Sequence, residues 1–311
     1  MAPPVQHEIG PVSLRPLVRE RVWGSETLPA WLPAPAKGKP IGEVWLTAGD
    51  CIIESAASHG TAFAGLVARL PAQFAAAPDF PLLLKLLFPH EKLSVQVHPD
   101  DALARSLGQP RGKTECWYVL SAEPGASVMA GFAEEITSAQ VRDAIAAGTL
   151  EQKLRRIPVK AGDMVYVPAG TVHAIGPGMI LLETQQTSDI TYRLFDYGRP
   201  RELHIEQGVA ALKTTTAAGI IAPVEMQGFT RLVTSPYFVI DRFFASTGGA
   251  SLGNLGELQI VIALDEGCFL ESSSGTALPL LPGTAVVLPA EPIAYSLRSA
   301  FGCKVVRIAG K

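Results

Sequence analysis

Short stretches of strand-forming residues, separated by proline and glycine, recur along the whole sequence. The 311 residues include 25 prolines and 29 glycines, which interrupt helices and mark turns. Three segments have the three- and four-residue spacing of a helix: residues 62–74, 138–148 and 150–156. The chain is therefore expected to be mainly β with a few helical insertions. The pattern predicts strands over residues 94–97, 115–120, 164–168, 179–184, 192–195, 238–244, 259–264, 285–288 and 304–308.

A segment near the end of the chain repeats the pattern of one in its middle. Residues 281–290, LPGTAVVLPA, and residues 159–175, VKAGDMVYVPAGTVHAI, both place a turn glycine before a β-branched strand that ends in proline and a small residue. The chain is also longer than one hydrophobic core usually organises. We therefore predict two β-barrel units, a catalytic domain of residues 1–211 and a degenerate second domain of residues 212–311. The second repeat has no histidine where the first has His173, so the second domain is expected to lack a metal site.

Composition and charge exclude several classes of partner. The net charge is −3 and there is no long basic run, which argues against nucleic acid. No apolar run reaches the roughly 18 residues that cross a bilayer, so no membrane partner is expected. The N-terminal residues lack the apolar core of a signal peptide, and the four cysteines have no CxxC spacing. We expect a cytoplasmic protein that acts on a small molecule, and nothing in the sequence indicates its oligomeric state.

Four polar residues in strand-like segments are candidate metal ligands. In LSVQVHPDD, Gln96 and His98 alternate with valines and so lie on one face of a strand. His173 follows a strand and a tight turn, and Glu115 begins another strand. Such a set of nitrogen and oxygen ligands suits Zn²⁺, and Fe²⁺, Mn²⁺ or Co²⁺ would also fit. From the residues alone, a metal site and a set of unrelated core and edge residues both remain open.

Five segments, in order along the chain, resemble the short bacterial form of the type I mannose-6-phosphate isomerases. They are RERVWGSETL, LLLKLLFPHEKLSVQVHPDD, GKTECWYVL, GDMVYVPAGTVHAIG and LLETQQTSDITYRLFDYGR, and together they extend from about residue 19 to residue 199. The resemblance implies a double cupin that interconverts mannose 6-phosphate and fructose 6-phosphate with one zinc ion per chain. It also implies the ligands Gln96, His98, Glu115 and His173, the four residues that the strand pattern brings forward.

The same resemblance implies residues for the chemistry. Aldose–ketose interconversion moves a proton between neighbouring carbons through an enediol, so it needs an acid–base group besides the metal. Glu183 and Asp189 are the candidates for that group. Arg193 is expected to stabilise the enediolate or to hold substrate oxygens, because its charge does not depend on pH. Lys113 is expected in catalysis or phosphate binding, and Arg199 in phosphate binding.

Two other functions are compatible with a cupin that carries these ligands. A sugar-phosphate-binding cupin without catalytic activity would keep the ligands but would not need Glu183 or Arg193. An Fe²⁺-dependent cupin oxygenase would use histidine and carboxylate ligands, and the glutamine ligand argues against it. The predicted partner in the favoured interpretation is a sugar phosphate.

Overall fold

The structure, a computed structural model, divides into two compact units. One unit comprises Val18–Trp45 and Phe80–Pro223, and we call it the central unit. The other comprises Met1–Leu17, Leu46–Asp79 and Val224–Lys311, and we call it the terminal unit. The predicted division into functional domains at residue 212 stays a prediction. The structure describes residues 10–32, 36–55, 59–68, 80–253, 258–273, 275, 277–288 and 293–311.

The described residues form mainly strands, with four short α-helices. The helices are Phe63–Val67 (α1), Asp101–Ser106 (α2), Ser138–Ala146 (α3) and Ile205–Ala211 (α4). None of these helices has the length and the apolar stretch needed to cross a membrane. The strands are Val12–Arg15 (β1), Leu17–Ser25 (β2), Ile41–Trp45 (β3), Ile52–Ile53 (β4), Leu82–Leu87 (β5), Val95–Val97 (β6), Glu115–Ala122 (β7), Ser127–Phe132 (β8), Leu154–Pro158 (β9), Met164–Val167 (β10), His173–Ile175 (β11), Met179–Gln186 (β12), Tyr192–Phe195 (β13), Gly219–Ile221 (β14), Val224–Met226 (β15), Phe229–Thr234 (β16), Phe238–Ala245 (β17), Ala250–Ser251 (β18), Gln259–Ala263 (β19), Cys268–Ser272 (β20), Ala277–Leu280 (β21), Ala285–Leu288 (β22), Tyr295–Ser299 (β23) and Cys303–Gly310 (β24).

Most elements predicted from the sequence are present. All nine predicted strands are confirmed as β6, β7, β10, β12, β13, β17, β19, β22 and β24. The predicted helix at residues 138–148 is confirmed as α3, whose capping box at Thr137 and Gln140 satisfies the free N–H groups of its first turn. The predicted helix at residues 62–74 is described only as α1, and residues 69–74 lie outside the described part.

The predicted helix at residues 150–156 is wrong. A 3-10 turn covers Leu150–Lys153, and the chain then continues as strand β9. Leu150 and Leu154 do have helical spacing, and both are buried. The next residues pair with β8, however, with Arg156 opposite Met129. The hydrogen bonds of the sheet therefore override the helical pattern of this short segment.

The central unit consists of two antiparallel sheets with a core between them. The first has the strand order β14-β10-β7-β12-β5-β3-β2, and the second has the order β13-β6-β11-β8-β9. Trp117 and Leu181 of the first sheet pack with Val128 and Ile175 of the second. The other face of the second sheet is covered by α3 and α4 in a separate apolar cluster. The second sheet is thus enclosed on both faces.

The terminal unit also consists of two sheets. One has the order β15-β16-β17-β24-β19-β22-β1-β4, and the other has the order β18-β23-β20-β21. Phe243, Val261 and Val305 of the larger sheet share a core with Leu270 and Leu297 of the smaller one.

Strand order and register show that the two units repeat one arrangement. In the central unit β10, β7, β12 and β5 are successive neighbours, and in the terminal unit β22, β19, β24 and β17 are. Val167 pairs with Glu115 in the first set, and Leu288 pairs with Gln259 in the second. Gln259 therefore holds the position that corresponds to Glu115. The repeat seen in the sequence is a repeat of strand topology.

The correspondence extends to a buried ion pair in each unit. Glu183 pairs across the sheet with Lys85, and Arg307 pairs with Asp241 at the corresponding place. In the terminal unit an Arg307 amine donates to an Asp241 oxygen at 2.5 Å, and both side chains are almost fully buried. The two units thus keep an ion pair at one position with its charges exchanged between the strands.

We expect Asp241→Asn to lower the free energy of unfolding by about 3–5 kcal/mol, because it leaves the Arg307 guanidinium buried without a full countercharge. Urea unfolding measures this difference. Glu271→Gln is the control, because it removes the partner of the exposed Arg298, 2.7 Å away, and should cost at most about 1 kcal/mol. Equal stability of Asp241→Asn and the wild type would show that the buried pair does not stabilise the unit.

Candidate metal centre and adjoining cavity

The strand β6 turns its polar residues inward, as its alternating sequence predicts. Val95 and Val97 are fully buried in the cluster formed with α3 and α4. Gln96 lies on the opposite face and His98 follows the strand. Gln96 pairs with His173 of β11, so the antiparallel register brings these two side chains together between the sheets.

Three of the four predicted ligands meet in a compact, buried group. One ligand atom from each of His98, Glu115 and His173 lies within 4.8 Å of the others. Nε2 of His98 is 3.6 Å from Oε2 of Glu115, and Nε2 of His173 is 3.3 Å from Oε1. The amide nitrogen of Gln96 lies 3.2 Å from Nε2 of His173. The structure therefore brings all four predicted ligands together.

Backbone carbonyls orient both imidazoles. Nδ1 of His98 lies 2.8 Å from the carbonyl oxygen of Ile190, and Nδ1 of His173 lies 2.9 Å from that of Thr171. A carbonyl only accepts, so each Nδ1 carries the proton and donates it. Each Nε2 therefore keeps its lone pair, and a histidine with Nδ1 fixed in this way is the form that metal-bound histidines commonly have.

Burial keeps these imidazoles neutral. It lowers the pKa of His98 well below its ordinary value, and the neighbouring Lys113 ammonium lowers it further. Burial lowers the pKa of His173 to about 4, although the hydrogen bond to Thr171 opposes the shift. Neutral imidazole is the form that binds metals, so the pair is ready to bind at neutral pH.

The Glu115 carboxylate needs a positive charge beside it. It is fully buried, and neither oxygen accepts a hydrogen bond of regular geometry within the described structure. The Lys113 ammonium lies 2.7 Å from Oε2 and 3.2 Å from Nε2 of His98. The ligand atoms thus already face a cation. A carboxylate with unused lone pairs and two imidazole lone pairs fit a divalent metal.

Glu183 lies beside this group and is held by cations. Burial raises its pKa, which the Lys113 and Lys85 ammonium groups oppose. Its oxygens are 3.6 Å from Nζ of Lys85 and 4.0 Å from Nζ of Lys113. The indole N–H of Trp117 donates to it at 3.3 Å. At Lys113 burial alone would lower the pKa, but the Glu115 and Glu183 carboxylates outweigh it and raise the pKa.

A cavity of about 350 Å³ in the central unit adjoins the cluster. This volume is at the small end of the range for ligand pockets, about 300–1,000 Å³. Five predicted site residues line it: Gln96, Lys113, Glu183, Asp189 and Arg193. Asp189 is exposed, whereas Glu183 is buried. The two carboxylates that are candidates for proton transfer therefore both line the cavity, one exposed to solvent and the other buried.

Arg199 is not among the residues that line this cavity. One of its amines lies 3.2 Å from an oxygen of Asp196, and another donates to the carbonyl oxygen of Lys92 at 2.6 Å. The second amine is also 3.3 Å from Glu91, and the guanidinium lies over the Tyr197 ring. The predicted phosphate-binding residue thus has its donors directed to the protein.

The sequence analysis missed several charged residues of the cavity. Lys85, Arg21 and Glu43 line it from the first sheet, and Arg201 lines it from the segment after β13. Lys85 is the one charged residue of the run LLLKLL, so a lysine that the sheet buries was the available signal. Arg21 lies in β2 and Glu43 in β3, where each is a charged residue next to an apolar strand residue. Arg201 has no comparable signal, because it lies outside a strand.

The fold and the cluster define a cupin-like protein with a candidate metal centre. The chain belongs to the type I phosphomannose isomerase family. The family described as phosphomannose isomerase type I, catalytic domain, matches residues 12–126. A mannose-6-phosphate isomerase of Streptococcus mutans serotype c is 39% identical over 245 residues, which cover 74% of this chain and 77% of the relative.

Solved structures of isomerases have the same fold. The crystal structure of the mannose 6-phosphate isomerase from Bacillus subtilis matches with a TM-score of 0.86 at 30% identity, covering 96% of this chain and 99% of the other. A zinc-bound mannose 6-phosphate isomerase matches with a TM-score of 0.78 at 17% identity, covering 97% of this chain and all of the other (100%). The expected mainly β, cupin-like fold is therefore confirmed.

The neutral histidines predict a pH dependence of stability in the metal-free protein. Unfolded histidine takes up a proton as pH falls below about 6.5, whereas folded His173 does so only at about pH 4. The unfolded state binds more protons between these pH values. The contribution of His173 to the free energy of unfolding is therefore fully present above about pH 6.5 and is lost as pH falls towards about 4. The loss from His173 should be on the order of 3 kcal/mol.

Urea unfolding in the presence of a chelator at pH 7 and at pH 4.5 measures this loss. His173→Gln is the comparison, because glutamine does not titrate and the variant should lose less stability between the two pH values. An equal loss in both proteins would mean that His173 is not a source of the acid sensitivity.

Proposed function

We propose that this chain is a zinc-dependent mannose-6-phosphate isomerase that interconverts mannose 6-phosphate and fructose 6-phosphate. The observation that carries the proposal is the buried His98, Glu115 and His173 group beside a cavity that Glu183 and Arg193 line. The family and the names of its relatives supply the substrate. Without an acid–base group in the cavity, the same cluster would support binding alone.

In this proposal Gln96, His98, Glu115 and His173 hold one zinc ion per chain. Three of them supply the lone pairs described above, and Gln96 supplies a neutral ligand that keeps the charge of the site low. When bound, the ion polarises a substrate oxygen and stabilises the negative charge that develops on it. The zinc-bound relative with the same fold supports this choice of metal.

Glu183 is our candidate for the group that carries the proton. The reaction removes a proton from C2 of open-chain mannose 6-phosphate; the C–H electron pair forms the C1–C2 double bond, and the electron pair of the C1=O double bond moves to O1, which takes up a proton to give the enediol. Loss of the O2 proton re-forms a carbonyl at C2, the electrons of the C1–C2 double bond take up a proton at C1, and the product is the ketose. A buried carboxylate whose pKa is raised is suited to take and return that proton near neutral pH. Trp117 and Lys85 hold the carboxylate in place.

Arg193 and Lys113 supply positive charge to the substrate oxygens. Arg193 is half-buried, and its Nε has no hydrogen-bond partner within the described structure. Burial lowers the pKa of the guanidinium below its ordinary value, but arginine keeps its charge at any working pH. It therefore favours the enediolate over the neutral substrate. Lys113 contacts both the ligand group and Glu183, which places it between the two.

We also propose that residues 212–311 form a domain without a metal site. These residues contain no histidine, and Gln259 holds the position that corresponds to the ligand Glu115. A glutamine in place of the carboxylate removes the charge that attracts a cation. A cytoplasmic location is part of the proposal, and it is supported by four buried cysteines that form no disulfide.

We expect His98→Ala to lose both the metal and the isomerase activity, because it removes a ligand. A coupled assay with mannose 6-phosphate, with and without a chelator, and elemental analysis of the purified protein measure the two losses. His90→Ala is the control, because His90 is exposed and should leave about one zinc ion per chain. Full metal occupancy in His98→Ala would contradict the ligand assignment.

We expect Glu183→Gln to lower kcat by about 10²–10⁴-fold with metal retained, since the amide cannot carry the proton. Asp189→Asn is the matched variant, and it should lower kcat much less if Glu183 is the proton carrier. Steady-state kinetics on zinc-loaded samples compare the two. The reverse order of effects would assign the proton transfer to Asp189.

A further inference from the structure

The cavity beside the candidate metal centre carries more positive than negative charge. Its charged lining comprises five cations and three carboxylates, a balance of +2: Arg21, Lys85, Lys113, Arg193 and Arg201, with Glu43, Glu183 and Asp189. A phosphate group brings about two negative charges at neutral pH. A small phosphorylated molecule therefore matches the charge of the cavity as well as its volume.

Two of the three carboxylates have cationic partners within the cavity lining. Glu183 faces Lys85 and Lys113, as described above. Glu43 accepts from an Arg21 amine at 2.8 Å and from the Trp45 indole N–H at 2.7 Å. Arg193 and Arg201 both pair with Asp196, which is not among the residues that line the cavity. Asp196 also pairs with Arg199, so one carboxylate serves three arginines and the excess of positive charge lies here.

Arg201 is fixed in place by a buried carboxylate. Its Nε and one terminal amine donate to the two oxygens of Asp196, each at 2.6 Å, in the bidentate geometry that arginine forms with carboxylates. Asp196 is almost completely buried. The pair uses one edge of the guanidinium, so the other terminal amine is not used by Asp196 and can donate to a ligand. A guanidinium whose position is already fixed loses little entropy when it binds an anion.

The order of the strands places Arg21 away from Glu115. In the first sheet, β7 carries Glu115 and is followed by β12, β5, β3 and β2, so Arg21 on β2 lies four strands away. Successive strands are about 4.8 Å apart. In the second sheet, β13 with Arg193 is the edge strand next to β6 with Gln96. Arg201 follows β13 in the chain and lines the same cavity as Arg21.

We propose that Arg201, held by Asp196, binds the phosphate of the sugar phosphate together with Arg21, and that Arg199 does not bind it. This assignment rests on the proposed isomerase function. The isomerised carbons C1 and C2 are at the other end of the hexose from the phosphate on C6. A substrate with C1 and C2 at the metal centre therefore directs its phosphate away from Glu115; Arg21 lies four strands from Glu115, and Arg201 lines the cavity from the segment beyond the edge strand β13.

The test compares Arg201→Gln and Arg199→Gln as zinc-loaded enzymes. We expect Arg201→Gln to raise KM for mannose 6-phosphate by about 10- to 100-fold, with kcat changed less than about threefold, because the lost contact is made equally to substrate and transition state. The inhibition constant of inorganic phosphate should rise by a similar factor. Arg199→Gln should raise both constants much less. Arg142→Gln is the control for a lost positive charge, because Arg142 is exposed on α3.

Arg201→Lys keeps the proposal testable if Arg201→Gln does not fold, because lysine can still pair with Asp196. It should give a smaller rise in KM and in the inhibition constant. Melting curves on the same samples separate a loss of stability from a loss of binding. Unchanged constants for folded Arg201→Gln or Arg201→Lys, or a larger effect of Arg199→Gln, would overturn the assignment.

Calorimetric titration of the wild type and the variants with inorganic phosphate adds a measurement that does not need turnover. If the wild type binds phosphate through Arg201 but does not isomerise mannose 6-phosphate, the phosphate site stands and the proposed function is wrong. If the wild type isomerises mannose 6-phosphate and folded Arg201→Gln keeps its phosphate affinity, the proposed function stands and the phosphate site is wrong.

Discussion

The burial of the Glu115 carboxylate is the constraint on which the rest of the central unit depends. An isolated carboxylate in the interior costs several kcal/mol, so the fold must place a positive charge beside it. The two imidazoles cannot provide that charge, because burial keeps them neutral. Lys113 provides it, and a divalent ion would provide it more strongly. The site is therefore built so that its ligand atoms require a cation.

Carboxylates and cations alternate across the inner face of the first sheet for the same reason. Each carboxylate on the inner face lies beside a cation, and each interior cation lies beside a carboxylate. Removal of one member leaves its neighbours buried without compensation, so the members act as a unit and their effects should not add. The reversed pair Asp241 and Arg307 in the terminal unit shows that this position needs opposite charges, whichever strand carries them. In order across the sheet the members are Arg21, Glu43, Lys85, Glu183, Lys113 and Glu115.

The sequence predicts the ligands better than it predicts the cavity, for a physical reason. Period-two alternation assigns Gln96 a face because a strand has only two faces, and the structure confirms the assignment. Lys85 interrupts a continuous apolar run, and an alternation pattern does not reveal which buried carboxylate a lysine will meet. Arg201 follows β13 without a strand pattern, and its role depends on Asp196, whose burial only the folded chain establishes. The partners of these buried charges, whether distant as for Lys85 and Glu183 or five residues away as for Arg201 and Asp196, are thus set by the fold rather than by the alternation pattern.

The register of strand β13 fixes the position of Arg193 in the cavity. Arg193 pairs with Gln96, and the register of β13 shifts between Arg193 and Phe195. Leu194 is fully buried in the cluster with α3 and α4, so its neighbour Arg193 must face the cavity. A slip of one residue would exchange these two faces, burying a guanidinium among apolar side chains and removing it from the substrate. The apolar contacts of Leu194 thus hold Arg193 beside Gln96, and the chain then leads directly to Asp196 and Arg201.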